Sequence, residues 1–193
     1  PISIGPPHKR ENLVTATEMS IDPESRPLFR TVTLKNPQEA FDKGIFSPGK
    51  HNQVAEGSRV ADLRVHKESQ NTFDSRFVSA TSDFEVSKIW ATNPDSVIYV
   101  LNPNPESKII NLNKSFKVRG TQNRFVSEME FNYVDIIPPN DVVAYIAITI
   151  GTDGKRKYEA FMNAKYQGKE FDEYGTLWDE LIAHYAKETP AFD

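Results

Sequence analysis

The segment DVVAYIAITIGTDGKRKYEAFMNA, residues 141–164, decides the fold class of this chain. Asp141–Ile150 is the strongest strand candidate, because it is almost continuously apolar and rich in β-branched residues. Gly151–Gly154 has the composition of a hairpin turn, and Lys157–Ala164 is predicted to return as the partner strand. The segment therefore predicts an antiparallel hairpin in a protein that is rich in β-structure.

Short elements are predicted on the N-terminal side of this hairpin. The predicted strands are Leu28–Val32, Arg76–Thr81, Ser96–Leu101, Lys108–Leu112 and Phe125–Val134. A helix is expected from Asn36, the N-cap, and Pro37 to Gly44, and another after Ser82-Asp83 through Trp90, burying Phe84, Val86 and Ile89. The polar stretch Ser47–Ser75 is predicted to be a functional loop region, and Thr176–Lys187 a C-terminal helix. Many short strands with few small helices indicate an α+β fold, with two packed, mainly antiparallel β-sheets and small flanking helices.

Composition limits the function classes. The net charge is −4 and the chain lacks cysteine, so we expect no nucleic-acid partner, no disulfide and no thiolate metal site. The four histidines are scattered, which predicts no metal. The longest apolar run, within residues 142–150, is too short to span a membrane as a helix. Residues 1–26 are rich in proline and are predicted to form an extended arm or linker, followed by a single domain over residues 27–193.

Three motifs follow one another in the order that a known signature requires. The first is Arg30 in Leu-Phe-Arg-Thr, the second is the segment Phe77–Thr81, and the third is Glu128-Met129-Glu130, with Pro138 eight residues later. Each motif alone is typical of a structural role: an ion-pair arginine, a half-buried strand and a solvated strand face. Their conjunction, with matching flanks and spacings, favours a functional site.

The chain resembles the cholera and pertussis branch of ADP-ribosylating toxins, which carries an Arg, Ser-Thr-Ser, Glu-x-Glu signature. Ser79-Ala80-Thr81 stands where that branch has Ser-Thr-Ser. Residues 98–104 and Asn163-Ala164-Lys165-Tyr166 also resemble family segments, so the resemblance covers about residues 28–166. It implies the ADP-ribosyltransferase fold, with an NAD cleft between the sheets, and transfer of ADP-ribose from NAD to an arginine of a target protein, with some hydrolysis of NAD.

The resemblance also implies roles for the motif residues. Glu130 would stabilise positive charge on the ribose of NAD, and Glu128, two residues earlier on the same strand face, would orient the acceptor guanidinium. Ser79 would hydrogen-bond Glu130, and Arg30 would pair with an NAD phosphate or brace the site. The remaining candidates are Thr31 and Thr81 in the NAD site, and Phe125, which is either a target-recognition residue or a core residue.

Several alternatives stay open on the sequence alone. Relatives with Gln at the first acidic position modify a nucleic-acid base or another side chain, and a non-catalytic interaction module on the same scaffold is a further reading. The family often has a His before the Ser motif, but the offset of His66 leaves its role undetermined. The resemblance implies a secreted or injected protein that acts in the cytosol of a target cell, with a delivery or immunity partner. Without cysteine, we expect a fused domain or an injected effector.

Overall fold

The computed structural model describes residues 27–59, 73–112, 129–166 and 189–190. These residues belong to two compact units. The Glu130 unit holds the described residues of Ile45–Ala80 and Pro105–Pro138, and the Arg30 unit holds those of Arg26–Gly44, Thr81–Asn104 and Pro139–Asp193. The predicted arm and the predicted helix Thr176–Lys187 lie outside the described residues, and the single domain over residues 27–193 stays a prediction.

The described residues form short strands and a few small helices. The strands are β1 (Leu28–Thr33), β2 (Ile45–Phe46), β3 (Phe77–Thr81), β4 (Ser96–Leu101), β5 (Ile109–Asn111), β6 (Glu130–Val134), β7 (Ile136–Ile137), β8 (Val142–Ile150), β9 (Lys155–Met162) and β10 (Thr189–Pro190). The α-helices are α1 (Ala40–Lys43), α2 (Pro48–His51) and α3 (Phe84–Trp90). Turns of 3-10 helix span Pro37–Glu39, Glu56–Ser58 and Pro139–Asp141. The predicted α+β class is confirmed.

The Arg30 unit is an antiparallel sheet in the order β10-β9-β8-β4-β1. The predicted hairpin is confirmed as β8 and β9, whose register runs from Ile150↔Arg156 to Ala144↔Met162. Its turn depends on Gly154, which has a φ of 76°, a conformation that glycine adopts without steric strain. One face of the sheet packs on α3, where the rings of Phe29 and Phe84 meet edge to face at 4.9 Å.

One detail of the predicted helices is wrong. Ile89 was expected in the core but is 72% exposed, because Phe84 and Ser87 form the buried face of α3 and Ile89 lies about 200° around the helix from Ser87. Asn36 is the N-cap as predicted, with Pro37 inside the first helical turn, but its side chain makes no cap hydrogen bond and that turn is a 3-10 turn before α1. Gly44 ends α1 as predicted, with a φ of 72° and its N–H bonded to the carbonyl of Ala40.

The Glu130 unit contains the strands β3, β6 and β5 in that order, and a separate β2–β7 ladder. Its described core includes Phe77, Ile110, Leu112 and Val134. The segment predicted as a loop contains the ordered helix α2, which begins where the Ser47 hydroxyl accepts a hydrogen bond from the Lys50 N–H at 3.1 Å. No helix within the described ranges is long and apolar enough to cross a membrane.

Candidate functional site

Arg30 lies half-buried on β1 of the Arg30 unit. Its strand partner is Tyr99 on β4, so the two side chains project on the same face of the sheet. Burial is the main cause that raises the pKa of Tyr99, while the charge of Arg30 acts in the opposite direction. The Tyr99 hydroxyl donates a hydrogen bond of 2.6 Å to the carbonyl of Pro37. Arg30 therefore stands beside a fixed, neutral phenol.

Aromatic side chains continue this row across the sheet. Tyr99 is opposite Tyr145, which in turn is opposite Phe161. The rings of Tyr145 and Phe161 stack at 5.0 Å, and the ring of Phe41 lies 5.5 Å from that of Tyr145. Burial, followed by the nearby charge of Glu159, raises the pKa of Tyr145. A continuous row of aromatic rings therefore lies on the same face of the sheet as Arg30.

The hydroxyls of Thr31 and Thr81 both hold helix α3. The Thr31 hydroxyl donates a hydrogen bond of 2.6 Å to the carbonyl of Ser87. The Thr81 side chain is fully buried and its oxygen accepts a hydrogen bond of 3.1 Å from the N–H of Asp83, the N-cap of α3. These contacts are structural, and an NAD contact at either residue stays a prediction.

Ser79 and Glu130 belong to the same unit and lie on neighbouring strands. Ser79 is half-buried in the middle of β3, and Glu130, the first residue of β6, is only 2% exposed. The Ser79 hydroxyl donates a hydrogen bond of 3.2 Å to the Oδ1 atom of Asn132. The predicted hydrogen bond from Ser79 to Glu130 stays a prediction. The Ser and Glu motifs are thus joined through β3 and β6.

The residue between the two motif glutamates is conformationally strained. Met129 has a φ of 48°, a left-handed conformation that is unfavourable for a residue with a long side chain. The predicted strand therefore does not run regularly through this point, since β6 begins only at Glu130. The argument that Glu128 faces the same side as Glu130 assumes a regular strand through Met129, which the structure does not show, so the orientation of Glu128 stays a prediction. Glu128 itself lies outside the described residues.

Asp135 anchors the other end of β6 to the start of β3. Its carboxylate accepts hydrogen bonds from the Nε and Nη2 atoms of Arg76 at 3.3 and 2.9 Å, and it lies 3.1 Å from the Nη1 atom of Arg59. The Asp135 N–H also donates to the Arg76 carbonyl at 2.6 Å. Burial alone would raise the pKa of Asp135, but the bonds and charges of the two arginines outweigh it and hold that pKa below its usual value.

Two predicted site residues, Glu128 and Phe125, lie outside the described residues. His66, which was not assigned to the site, also lies outside them. Among the residues that are described, no group of three or more His, Cys, Asp or Glu side chains is arranged to hold a metal ion. The absence of a metal from the site stays a prediction.

Sequence reasoning missed two residues of this region, Asn132 and Asp135. Asn132 could have been identified from the sequence, because alternation on a strand places it on the same face as Glu130. Asp135 gave no local signal, since its partner Arg76 is 59 positions away in the sequence.

Comparisons with known proteins identify the fold. No known protein-family model matches the chain, and no curated protein sequence does. Several solved structures do match, at low identity. EcPltA is 16% identical, with a TM-score of 0.53, over 77% of this chain and 91% of that chain. Scabin toxin from Streptomyces scabies, in complex with NADH, is 16% identical, with a TM-score of 0.55, over 78% of this chain and 87% of that chain.

A guanine-specific ADP-ribosyltransferase is 17% identical, with a TM-score of 0.55, over 76% of this chain and 81% of that chain. Likeness at this identity concerns the backbone arrangement. The mainly antiparallel sheets and small helices of the chain match the ADP-ribosyltransferase fold, and the predicted fold is confirmed.

Proposed function

We propose that the chain transfers ADP-ribose from NAD to an arginine of a target protein and releases nicotinamide. The observation that carries this proposal is Glu130, a glutamate that is only 2% exposed, at the start of β6 beside the Ser79 strand. Burial of a carboxylate costs free energy, and such a cost is common where a carboxylate serves a reaction. The likeness in fold to an ADP-ribosyltransferase and to a toxin bound to NADH supports the same reaction.

The chemistry requires a fixed negative charge beside the ribose. When the bond between nicotinamide and the ribose carbon breaks, nicotinamide leaves with the bonding electron pair and positive charge develops on the ribose. A preorganised carboxylate such as Glu130 stabilises that charge where it forms. An arginine guanidinium then bonds to the ribose carbon and loses a proton. Since a free guanidinium has a pKa above about 12, a second carboxylate must orient it and accept the proton, and we assign this role to Glu128.

Arg30 is proposed to bind a phosphate of NAD. A guanidinium offers paired donors that match phosphate oxygens, and Tyr99 beside it is neutral at physiological pH, as tyrosine ordinarily is, with burial raising its pKa further. A neutral tyrosine does not form an ion pair with the Arg30 guanidinium.

A guanine base is the second candidate acceptor. The observation that favours it is the likeness to a guanine-specific ADP-ribosyltransferase. The net charge of −4 opposes it, because proteins that act on nucleic acid usually present a basic face. Within the arginine proposal the partner is a target protein, and the likeness to Scabin toxin supports secretion or injection into a target cell.

One experiment separates these acceptors. The protein is incubated with NAD labelled in its adenylate part, in parallel with a cell lysate freed of nucleic acid and with DNA that contains or lacks guanine. Label that enters protein and is released by hydroxylamine supports arginine. Label that enters only the guanine-containing DNA would establish the second candidate instead.

The same assay tests Glu130. Glu130→Gln keeps the shape of the side chain but removes its charge, and it should reduce both transfer and hydrolysis of NAD by roughly 10²-fold or more. Glu85→Gln, on the exposed side of α3, is the matched control and should retain full activity. Wild-type rates in a folded Glu130→Gln protein would contradict the proposed function.

A further inference from the structure

The proposed reaction assigns no role to the side-chain amide of Asn132. It lies on β6 two residues after Glu130 and is completely buried. Its Oδ1 atom accepts the hydrogen bond from Ser79. Its Nδ2 atom is buried and makes no hydrogen bond within the described part of the chain. A buried donor without an acceptor is rare in folded proteins, because its desolvation is not compensated.

Rotation of the carboxamide by 180° removes this cost. The two ends of an asparagine amide have nearly the same shape, so rotation exchanges Oδ1 and Nδ2 without new steric demands. Nδ2 then donates to the Ser79 oxygen at the position that Oδ1 held. An acceptor left without a donor is tolerated better than a donor left without an acceptor.

The rotation also changes what Ser79 can do. A serine hydroxyl has a single hydrogen, and in the structure that hydrogen is donated to Asn132. Once Asn132 acts as the donor, the Ser79 hydrogen becomes available for another acceptor. Glu130, on the same strand face as Asn132, offers a carboxylate oxygen.

We propose that Asn132 is a positioning residue that directs the Ser79 hydroxyl toward Glu130, through a relay from Nδ2 of Asn132 to the Ser79 oxygen and from the Ser79 hydrogen to the Glu130 carboxylate. This inference rests on the proposed function, because it gives the relay its task of holding Glu130 beside the ribose. Hydrogen bonds in such a chain polarise and strengthen one another. Asn132 touches neither NAD nor the acceptor.

Asn132→Asp provides the sharpest test, because it preserves shape and replaces a donor by an ionised acceptor. At pH 8 kcat for NAD hydrolysis should fall by roughly 10-fold or more, the effect of losing a hydrogen bond to a charged group, while KM changes less than about threefold. As the pH falls toward 5, the introduced carboxyl becomes protonated and can donate again. The ratio of variant to wild-type kcat should therefore rise as the pH falls.

Glu130 is the titratable group that shares this strand face with the introduced carboxyl. The neighbouring strands, β3 and β5, carry no titratable side chain within Phe77–Thr81 and Ile109–Asn111. The Glu130 charge raises the pKa of the introduced carboxyl, which moves its protonation toward the accessible pH range. A purely structural role for Asn132 predicts a ratio that does not change with pH.

A double-mutant cycle tests whether Asn132 acts through Ser79. Once Ser79→Ala has removed the hydroxyl, Asn132→Asp should lower kcat by less than about threefold further, because residues that act in series are not additive. Additive losses would overturn the relay.

The relay also has a readout that does not depend on activity. In protein labelled with nitrogen-15, the Nδ2 hydrogens of Asn132 should change their NMR shifts in Ser79→Ala. The matched control is Asn163, a buried asparagine whose Nδ2 donates to the Val142 carbonyl at 2.8 Å, and its signals should not move. Unchanged Asn132 signals would overturn the relay even if the chain transfers ADP-ribose. Shifted signals in a protein whose Glu130→Gln variant keeps full activity would refute the proposed function and leave the relay standing.

Discussion

Replacement of Asp135 by asparagine tests whether the ion pairs at the end of β6 stabilise the fold. The Asp135, Arg59 and Arg76 side chains are 16, 13 and 20% exposed, so the substitution removes the Asp135 charge from beside two largely buried guanidinium groups. Arg76 keeps a longer contact of 3.9 Å with the exposed carboxylate of Glu56. Asparagine keeps the shape of the side chain and tolerates the φ of 66° at this position. The change in stability therefore reports the charge rather than the backbone.

The magnitude follows from the burial of the three groups. Removal of one partner from a fully buried ion pair costs about 3–5 kcal/mol, whereas exposed pairs contribute about 0–1 kcal/mol. The residual exposure of these side chains and the acceptor that asparagine retains place Asp135→Asn between these limits, at about 2 kcal/mol. For a chain of this length the melting temperature should fall by about 4–8 °C.

Thermal and urea unfolding at pH 7 provide the measurement. Asp42→Asn is the matched control, because Asp42 pairs with Lys165 at 2.5 Å but the two side chains are 58 and 72% exposed. Its cost should stay within about 0.5 kcal/mol. Equal losses in the two variants would show that the Asp135 pairs contribute no more than a surface ion pair, and would refute the reasoning.

The stabilisation that Asp135 contributes depends on pH in a direction that its pKa determines. The pKa of Asp135 is lower in the folded protein than its ordinary value of 3.8, so the folded state keeps the carboxylate ionised where the unfolded state binds a proton. The stabilisation is complete above the ordinary pKa and is lost as the pH falls through the lower, folded value. The stability difference between wild type and Asp135→Asn should be constant from pH 7 down to about 5 and should shrink below about 4.

Three further substitutions test separate parts of the site. Arg30→Ala should weaken the binding of NAD, measured by calorimetry, while the melting temperature changes little. An unchanged affinity for NAD would show that Arg30 has a structural role instead. Glu128→Gln should lower transfer to arginine far more than hydrolysis of NAD, because only transfer uses the acceptor contact; an equal loss of both rates would contradict the assigned division of labour. Met129→Gly should leave the melting temperature unchanged or raise it by about 2–4 °C, because glycine adopts the φ of 48° without strain, and a marked fall would show that the backbone is not strained there.

Strands β4, β8 and β9 were predictable because local composition determines them. All six residues of β4 are buried, its sequence is apolar from Val97 to Leu101, and its limits agree with those predicted. The β8–β9 hairpin was predictable for a related reason, since the glycines of its turn stand between two β-type segments. In both elements the decisive information lies within one short stretch of chain.

The errors arose where distant residues determine the structure. The helix α2 was missed because it is held by close packing: a Cβ atom on Gly49 would lie 2.8 Å from the carbonyl oxygens of Asp74 and Ser75. The burial of α3 was misjudged at Ile89 because the bond from Thr31 to Ser87 helps to decide which face meets the sheet. Neither contact can be predicted from the local sequence pattern.

The strand that carries Glu130 is limited at both ends by left-handed residues. β6 runs from Glu130 to Val134, directly between Met129 and Asp135, with φ values of 48° and 66°. Each left-handed residue interrupts the pleat, so the regular strand that carries Glu130 and Asn132 is confined to the five residues between Met129 and Asp135. The Asp135 end is held by two arginines, whereas Met129 is 46% exposed. Strain at Met129 is therefore stored beside the proposed catalytic carboxylate, on a strand whose far end is fixed.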